Sequence, residues 1–273
     1  MALYVNTNVA SLNAQRNLTT STSSLSTSLQ RLSSGLRVNS AKDDAAGLAI
    51  ASGMTAQIRG GNQAIRNAND ALSLTQTAEG VLSQMESNTQ RMRELSVQAA
   101  NATTSTANFS QIKLEIDSLA AENSRLISGS KFNGQALFSD AAIEFSFQVG
   151  AGTSGDNQIA VTMAAASFSQ AAGSVTLVKA SDALSAIKML DNDLGVISNM
   201  RANLGAAQNR FSAVVSNLQS YVENLSASKG RIMDTDFAEE TANMTRNQII
   251  QQAGTAMLSQ ANQLPNAAMS LLR

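Results

Sequence analysis

Few side chains of this 273-residue sequence could do covalent or acid–base chemistry. It contains no His, no Cys and no Trp. That removes Ser-His-Asp and Cys-His nucleophilic pairs, a histidine general base, and thiolate or imidazole zinc ligation. Carboxylate chemistry is what remains. Two clusters have the composition for it: Lys42-Asp43-Asp44, and Asp234 with Asp236 ahead of Glu239-Glu240. Both stand where a helix would begin. There Asp and Thr cap free backbone N–H groups, and acids in the first turn oppose the helix dipole, so a structural role outweighs an acid/base pair. Gly47, Gly53, Gly60 and Gly61 lack the G-x-x-x-x-G-K-[ST] spacing of a phosphate loop and follow no strand. Methionines such as Met85 and Met92 fall at helical spacing and read as packing. The triplets Asn17-Leu18-Thr19, Asn101-Ala102-Thr103 and Asn108-Phe109-Ser110 fit the N-glycosylation pattern, but such matches arise by chance in an Asn/Ser/Thr-rich chain. No catalytic residue, cofactor or metal is assigned.

Bulk composition excludes further classes. Nineteen Lys+Arg against 20 Asp+Glu give a net charge of −1, so no basic field draws nucleic acid or an anionic membrane. No window approaches the ~18 consecutive apolar residues of a membrane span. The start, Met1 to Asn8, lacks the basic and apolar regions of a secretory signal.

The elements are mostly long helices. Val5, Val9 and Leu12, then Leu18, Leu25, Leu29, Leu32 and Leu36, keep steps of 3, 4 or 7, broken once by a step of 6 between Leu12 and Leu18. Ile250, Ala253, Met257, Ala261, Leu264, Ala268 and Leu271 step by 3 or 4. These are a/d seams, and the simplest partner for each is the other terminus. Pro265, the only proline, is expected to end or kink the last helix. Inside these seams, Leu74–Ala99 and Leu204–Leu225 carry the same spacing, and a single helix from Ala45 to Ala100 is permitted despite Gly60-Gly61. A shorter helix is expected over 110–128, ended by Gly129, with a turn at Phe132-Asn133-Gly134. Ile143 to Val149 and Ile159 to Met163 alternate with period 2, and Val175 with Leu177 suggests a third strand. The fold class is mainly α: a long antiparallel helical bundle or coiled-coil rod with a small β-hairpin patch at about 131–180. The domains read as a discontinuous terminal coiled-coil assembly domain, 1–42 plus 234–273, and a helical core, 43–233. Only 14% of residues are charged, so the helix backs carry small neutral residues suited to heterologous, open-ended packing of copies.

The motifs themselves resemble bacterial flagellin. Asn6-Thr7-Asn8, Leu32-Ser33-Ser34-Gly35-Leu36-Arg37 and Asn39-Ser40-Ala41-Lys42-Asp43-Asp44-Ala45-Ala46-Gly47 carry the likeness at one end. Gln57-Ile58-Arg59-Gly60, Arg66 to Asp70 and Arg91 to Asn101 continue it. Asp234 to Glu240, Ala261 to Pro265 and Leu271-Leu272-Arg273 complete it. Two departures stand out: Gly60-Gly61 where the family usually has Gly-Leu, and Asp70-Ala71 where it has Asp-Gly. About 50 residues separate the two halves, so the resemblance implies a short form without outer variable domains.

The resemblance implies a structural subunit of the flagellar filament used for swimming, with a hook–filament junction protein as the alternative. It implies a secreted, extracellular homopolymer exported through a type III apparatus. Further implied partners are a secretion chaperone at the C-terminal helix, the filament cap, hook-associated proteins and a host Toll-like receptor. Filament seams are expected at Leu18, Leu25, Leu29, Leu32, Leu36, Ile250, Met257, Leu264 and Leu271. The positions matching a receptor contact are Arg91, Leu95 and Glu115, with Leu95 expected to be partly exposed.

Overall fold

The computed structural model describes residues 7–101, 105–165, 168 and 179–270. Five helices dominate it, in the order α1 (Val9–Ser34), α2 (Ala45–Ala99), α3 (Thr106–Gly129), α4 (Ala180–Met233) and α5 (Phe237–Ser270). Four short strands lie between α3 and α4: β1 (Lys131–Phe132), β2 (Gln135–Ala136), β3 (Ile143–Gln148) and β4 (Gln158–Met163). The mainly α class with a β-hairpin patch is therefore as the sequence implies. Val175 and Leu177, the expected third strand, lie outside the described residues. The chain forms two compact units, residues 1–56 with 224–273, and residues 57–223.

In the first unit α1 packs along α5. The Asn8 side chain caps α1 by accepting from the Ser11 N–H at 3.1 Å. Gly35 ends it in the left-handed conformation, φ 70°, and donates its N–H to the Arg31 carbonyl at 2.8 Å; a residue with a Cβ would be strained there. Backbone bonds join this turn to the junction between α4 and α5: Thr235 N–H to Gly35 O at 3.0 Å and Arg37 N–H to Met233 O at 2.6 Å. Helix α5 does not end at Pro265 but runs to Ser270.

The second unit holds the apolar cores. The Asn133-Gly134 turn joins β1 to β2, both residues at positive φ (50° and 82°), the conformation of a two-residue hairpin loop of type I′. β3 and β4 pair antiparallel, with Phe145 opposite Val161 and Phe147 opposite Ile159. The buried face of this hairpin joins Leu74, Leu82 and Met85 of α2 and Leu204 and Phe211 of α4 in one cluster. Phe147 meets Phe211 edge to face, ring centroids 5.7 Å apart. A second cluster joins Met92 and Leu95 of α2, Ile112 and Ile116 of α3, and Leu190 of α4. Between them, Asn88 of α2 donates to Asn123 of α3 at 2.8 Å, both buried; a hydrogen-bonded amide pair there avoids the cost of unpaired polar atoms.

Candidate assembly surfaces

The carboxylates that could have done chemistry are structural. Asp44 Oδ1 accepts from the Gly47 N–H at 2.8 Å at the start of α2. Asp236 Oδ1 accepts from Ala238 N–H at 2.9 Å and Glu239 N–H at 3.3 Å, capping α5. Asp234 bridges to Leu36 through the backbone. Asp43 accepts from the Ser40 hydroxyl, the Ser40 N–H and the Asn39 N–H, and the Ser40 bonds hold its carboxyl below the ordinary value of 3.8. Among the described residues no group of three potential ligands gathers to hold a metal. No described helix is long and apolar enough to cross a membrane.

The α1 seam differs from its leucine reading. Its most buried residues are serines: Ser11, Ser21 and Ser28. They interleave with Ala14, Leu18, Leu25 and Leu32, all half-buried, so the steps alternate 3 and 4 without a break over residues 11–32. Leu36 is half-buried beyond the helix end, and Leu29 lies off the seam, 49% exposed. The serines allow close approach and bond across it. Ser21 Oγ donates to the Asn247 carbonyl at 3.1 Å, and Ser11 Oγ to Asn262 Oδ1 at 2.8 Å.

The α5 side of the contact also departs from the hydropathy stripe. The residues turned toward α1 are Asn247, Gln251, Gly254, Leu258 and Ala261, all buried or half-buried. Gly254 lies directly beneath Leu18, whose Cδ1 would stand 3.3 Å from a Cβ placed on the glycine. Ile250 and Met257, which the sequence spacing places in the stripe that pairs with the other terminus, are instead 44% and 64% exposed. They point elsewhere because the contact with α1 is made of small and amide side chains, which hydropathy spacing passes over. A groove of about 560 Å³ runs along this outer face, lined by Ala238, Thr241, Ala242, Thr245, Arg246, Ile249 and Ile250. The side-chain surroundings of Leu264, and all of Leu271, lie outside the described residues.

Of the three residues matched to a receptor contact, two meet at the surface. The Arg91 guanidinium donates to Glu115 across α2 and α3 at 3.0 Å through Nε, and to Glu94 at 3.1 Å. The Glu115 carboxylate, seconded by Glu94, raises the Arg91 pKa. Leu95 does not join them. It is 3% exposed in the core against α3 and α4, which overturns its expected partial exposure: the face four residues on from Arg91 has already turned inward. Nearby, Arg93 bonds Asp191 of α4 at 2.6 Å.

These features define a helical structural protein whose described polar clusters cap and join helices. Two family comparisons say which class of helical protein this is. The bacterial flagellin N-terminal helical region matches residues 5–142, and the bacterial flagellin C-terminal helical region matches residues 187–272. The chain belongs to the bacterial flagellin family, a structural and not an enzymatic one. It is 41% identical to the flagellin of Halalkalibacterium halodurans over 99% of this chain and 100% of that protein. It is 34% identical to flagellin A of Vibrio cholerae over the whole of both, in a 379-residue alignment. The longer alignment means that the Vibrio protein has residues without counterparts here. A crystal structure of Bacillus cereus flagellin aligns at 25% identity and a TM-score of 0.49, over 60% of this chain and 94% of that one.

Proposed function

We propose that this chain is the subunit of a flagellar filament, self-assembling to form the propeller of a swimming bacterium. The observation that carries this reading is the unpartnered apolar face of the terminal helices. Ile249, Ile250 and Met257 of α5 and Val9, Leu12 and Leu29 of α1 are each 44–66% exposed. They lie off the α1–α5 seam, so contacts with other copies would bury them. Within this proposal, residues 1–42 with 234–273 form the assembly domain and 43–233 the helical core. The filament seams are Leu18, Leu25, Leu29, Leu32, Leu36, Ile250, Met257, Leu264 and Leu271. Of these, Leu18, Leu25 and Leu32 act by forming the terminal pair, and Leu29, Ile250 and Met257 by meeting neighbours. Nothing favours the hook–filament junction alternative.

The same reading places the subunit outside the cell after type III export. A secretion chaperone would cover the outer face of α5 before export, and cap and hook-associated proteins would meet the two ends of the filament. A host Toll-like receptor would meet Arg91 and Glu115, with Leu95 supporting that surface from beneath. Electron microscopy of the concentrated protein tests the central claim. Filaments are expected from the full chain and from Leu114→Ala, and none from Ile250→Asp/Met257→Asp. Normal filaments from the double variant would remove the outer face of α5 from assembly.

A further inference from the structure

We propose that Asn8 locks the register of the α1–α5 pair at the end where α1 begins, and that Pro265 creates the acceptor it recognises. The seam alone specifies register weakly. Leu18, Leu25 and Leu32 repeat every seven residues, as do Ser21 and Ser28. Sliding α1 by seven residues would put leucine where leucine was and serine where serine was. In paired helices of this kind a single polar residue often chooses among near-equivalent registers.

The α5 backbone offers one distinctive target. In a regular helix each carbonyl accepts from the N–H four residues on. Residue 265 is a proline and has no N–H to give, so the Ala261 carbonyl loses its intrahelical donor. Ala261 is 7% exposed, and an unpaired carbonyl in such a place is costly. Asn8 Nδ2 donates to it at 2.8 Å. The other half of the same amide, Oδ1, accepts from the Ser11 N–H and caps α1. One side chain thus closes the start of α1 and satisfies the gap in α5, while Ser11 Oγ bonds Asn262 one residue along. The chain has a single proline. A register shifted by seven would bring Asn8 to carbonyls at 254 or 268, neither of which lies four residues before a proline. At the opposite end of the pair the Gly35–Thr235 backbone bond and the Arg31–Glu240 ion pair (3.5 Å) hold the same register.

Asn8→Asp separates locking from capping. Aspartate caps as well as asparagine and suits the helix dipole, but it cannot donate to Ala261. Amide exchange is followed on the full chain, free or polymerised, in whichever state protects the wild-type amides of residues 12–32. The lock predicts that Asn8→Asp speeds exchange of the first turns of α1 by about fivefold or more, the equivalent of one hydrogen bond. In a Pro265→Ala background the new N–H at 265 occupies the carbonyl, and Asn8→Asp should then change exchange far less. No effect in the first background, or equal effects in both, would overturn the proposal. So would exchange of residues 12–32 at unstructured rates in both states of the wild-type chain. Polymerisation is scored separately and does not enter the comparison.

Discussion

Gly61 of α2 lies so close to Val222 of α4 that a Cβ on the glycine would stand 2.7 Å from Val222 Cγ2. Its neighbour Gly60 is crowded from another side, where Ala151 of the β3–β4 loop would be 2.6 Å from an added Cβ. The two glycines cost helix propensity, about 1 kcal/mol each, and in return let two other segments approach α2 closely. Gly61→Ala should therefore destabilise the protein by about 1–3 kcal/mol through overpacking against a stiff β-branched side chain. Gly80→Ala, in the same helix with nothing within 4 Å of its Cβ position, should stabilise by about 0.5–1 kcal/mol. Urea unfolding of both variants checks the contrast; two stabilised proteins would mean that the close approach at Gly61 does not constrain α2.

The serine seam makes an opposite demand from hydropathy. Replacing Ser21 by Leu would complete an apolar stripe on paper. In the structure Ser21 is buried against α5 and donates to the Asn247 carbonyl. Ser21→Leu should weaken the terminal pair by about 1–3 kcal/mol, seen as a lower melting temperature of helical circular dichroism. Ser21→Ala, which keeps the volume small, should cost about 1 kcal/mol or less. A Leu variant as stable as wild type would show that the seam has room to spare.

Much of the fold was legible because its elements are long and periodic. The unbroken α2, the period-2 strands β3 and β4, and the capping roles of Asp44 and Asp236 all follow from spacing and residue type. The α1–α5 contact was legible as a pairing, and in Leu18, Leu25, Leu32 and Ala261, but not in its serine, amide and glycine residues. Serine, asparagine and glycine carry no hydropathy signal, so apolar spacing marks the exposed Ile250 and Met257 and passes over Asn247, Gln251 and Gly254. The 3/4 spacing of Ser11, Ser21 and Ser28 with the leucines was the available sign. Leu95 departs from its expected exposure for another reason. Arg91 and Leu95 share a helix face in sequence, but α3 and α4 close over one end of that face and leave the other open. Pro265 does not end α5 as one of its two expected effects would have it, and the donor to the carbonyl it leaves open comes from the other end of the chain.

Acid should loosen one loop before the helices melt. The Asp43 carboxyl lies below its ordinary value of 3.8, chiefly through the Ser40 hydroxyl and N–H. A depressed carboxylate contributes stability above the unfolded value and loses it as pH falls through the folded one. The Asn39 and Ser40 amide resonances should therefore hold steady from neutral pH down to about 4 and shift together below it. Asp43→Asn should abolish that shared transition. A transition at or above the ordinary Asp value would mean that the three donors do not favour the charged form.

Core and surface readings of the Arg91 region separate cleanly by substitution. Leu95 is buried while Arg91 and Glu115 are exposed and paired. Leu95→Ala should cost about 2–5 kcal/mol of stability as a core truncation, whereas Leu95→Met keeps the volume and should cost under 1.5 kcal/mol. If the host receptor engages this surface as proposed, Arg91→Ala should lower signalling by monomer about tenfold or more with the fold intact, since arginine is a frequent anchor of interfaces. Leu95→Met should leave signalling nearly unchanged, because its side chain never reaches the receptor. Glu115→Gln keeps a hydrogen-bond acceptor for Arg91 but removes the charge, and should fall between the two. Circular dichroism confirms folding in each case and receptor-reporter cells read the response. Full signalling by a folded Arg91→Ala would take the receptor contact away from this ion pair. Loss of signalling by a stable Leu95→Met would show that the core leucine is reached after all, which requires α2 and α3 to part on binding.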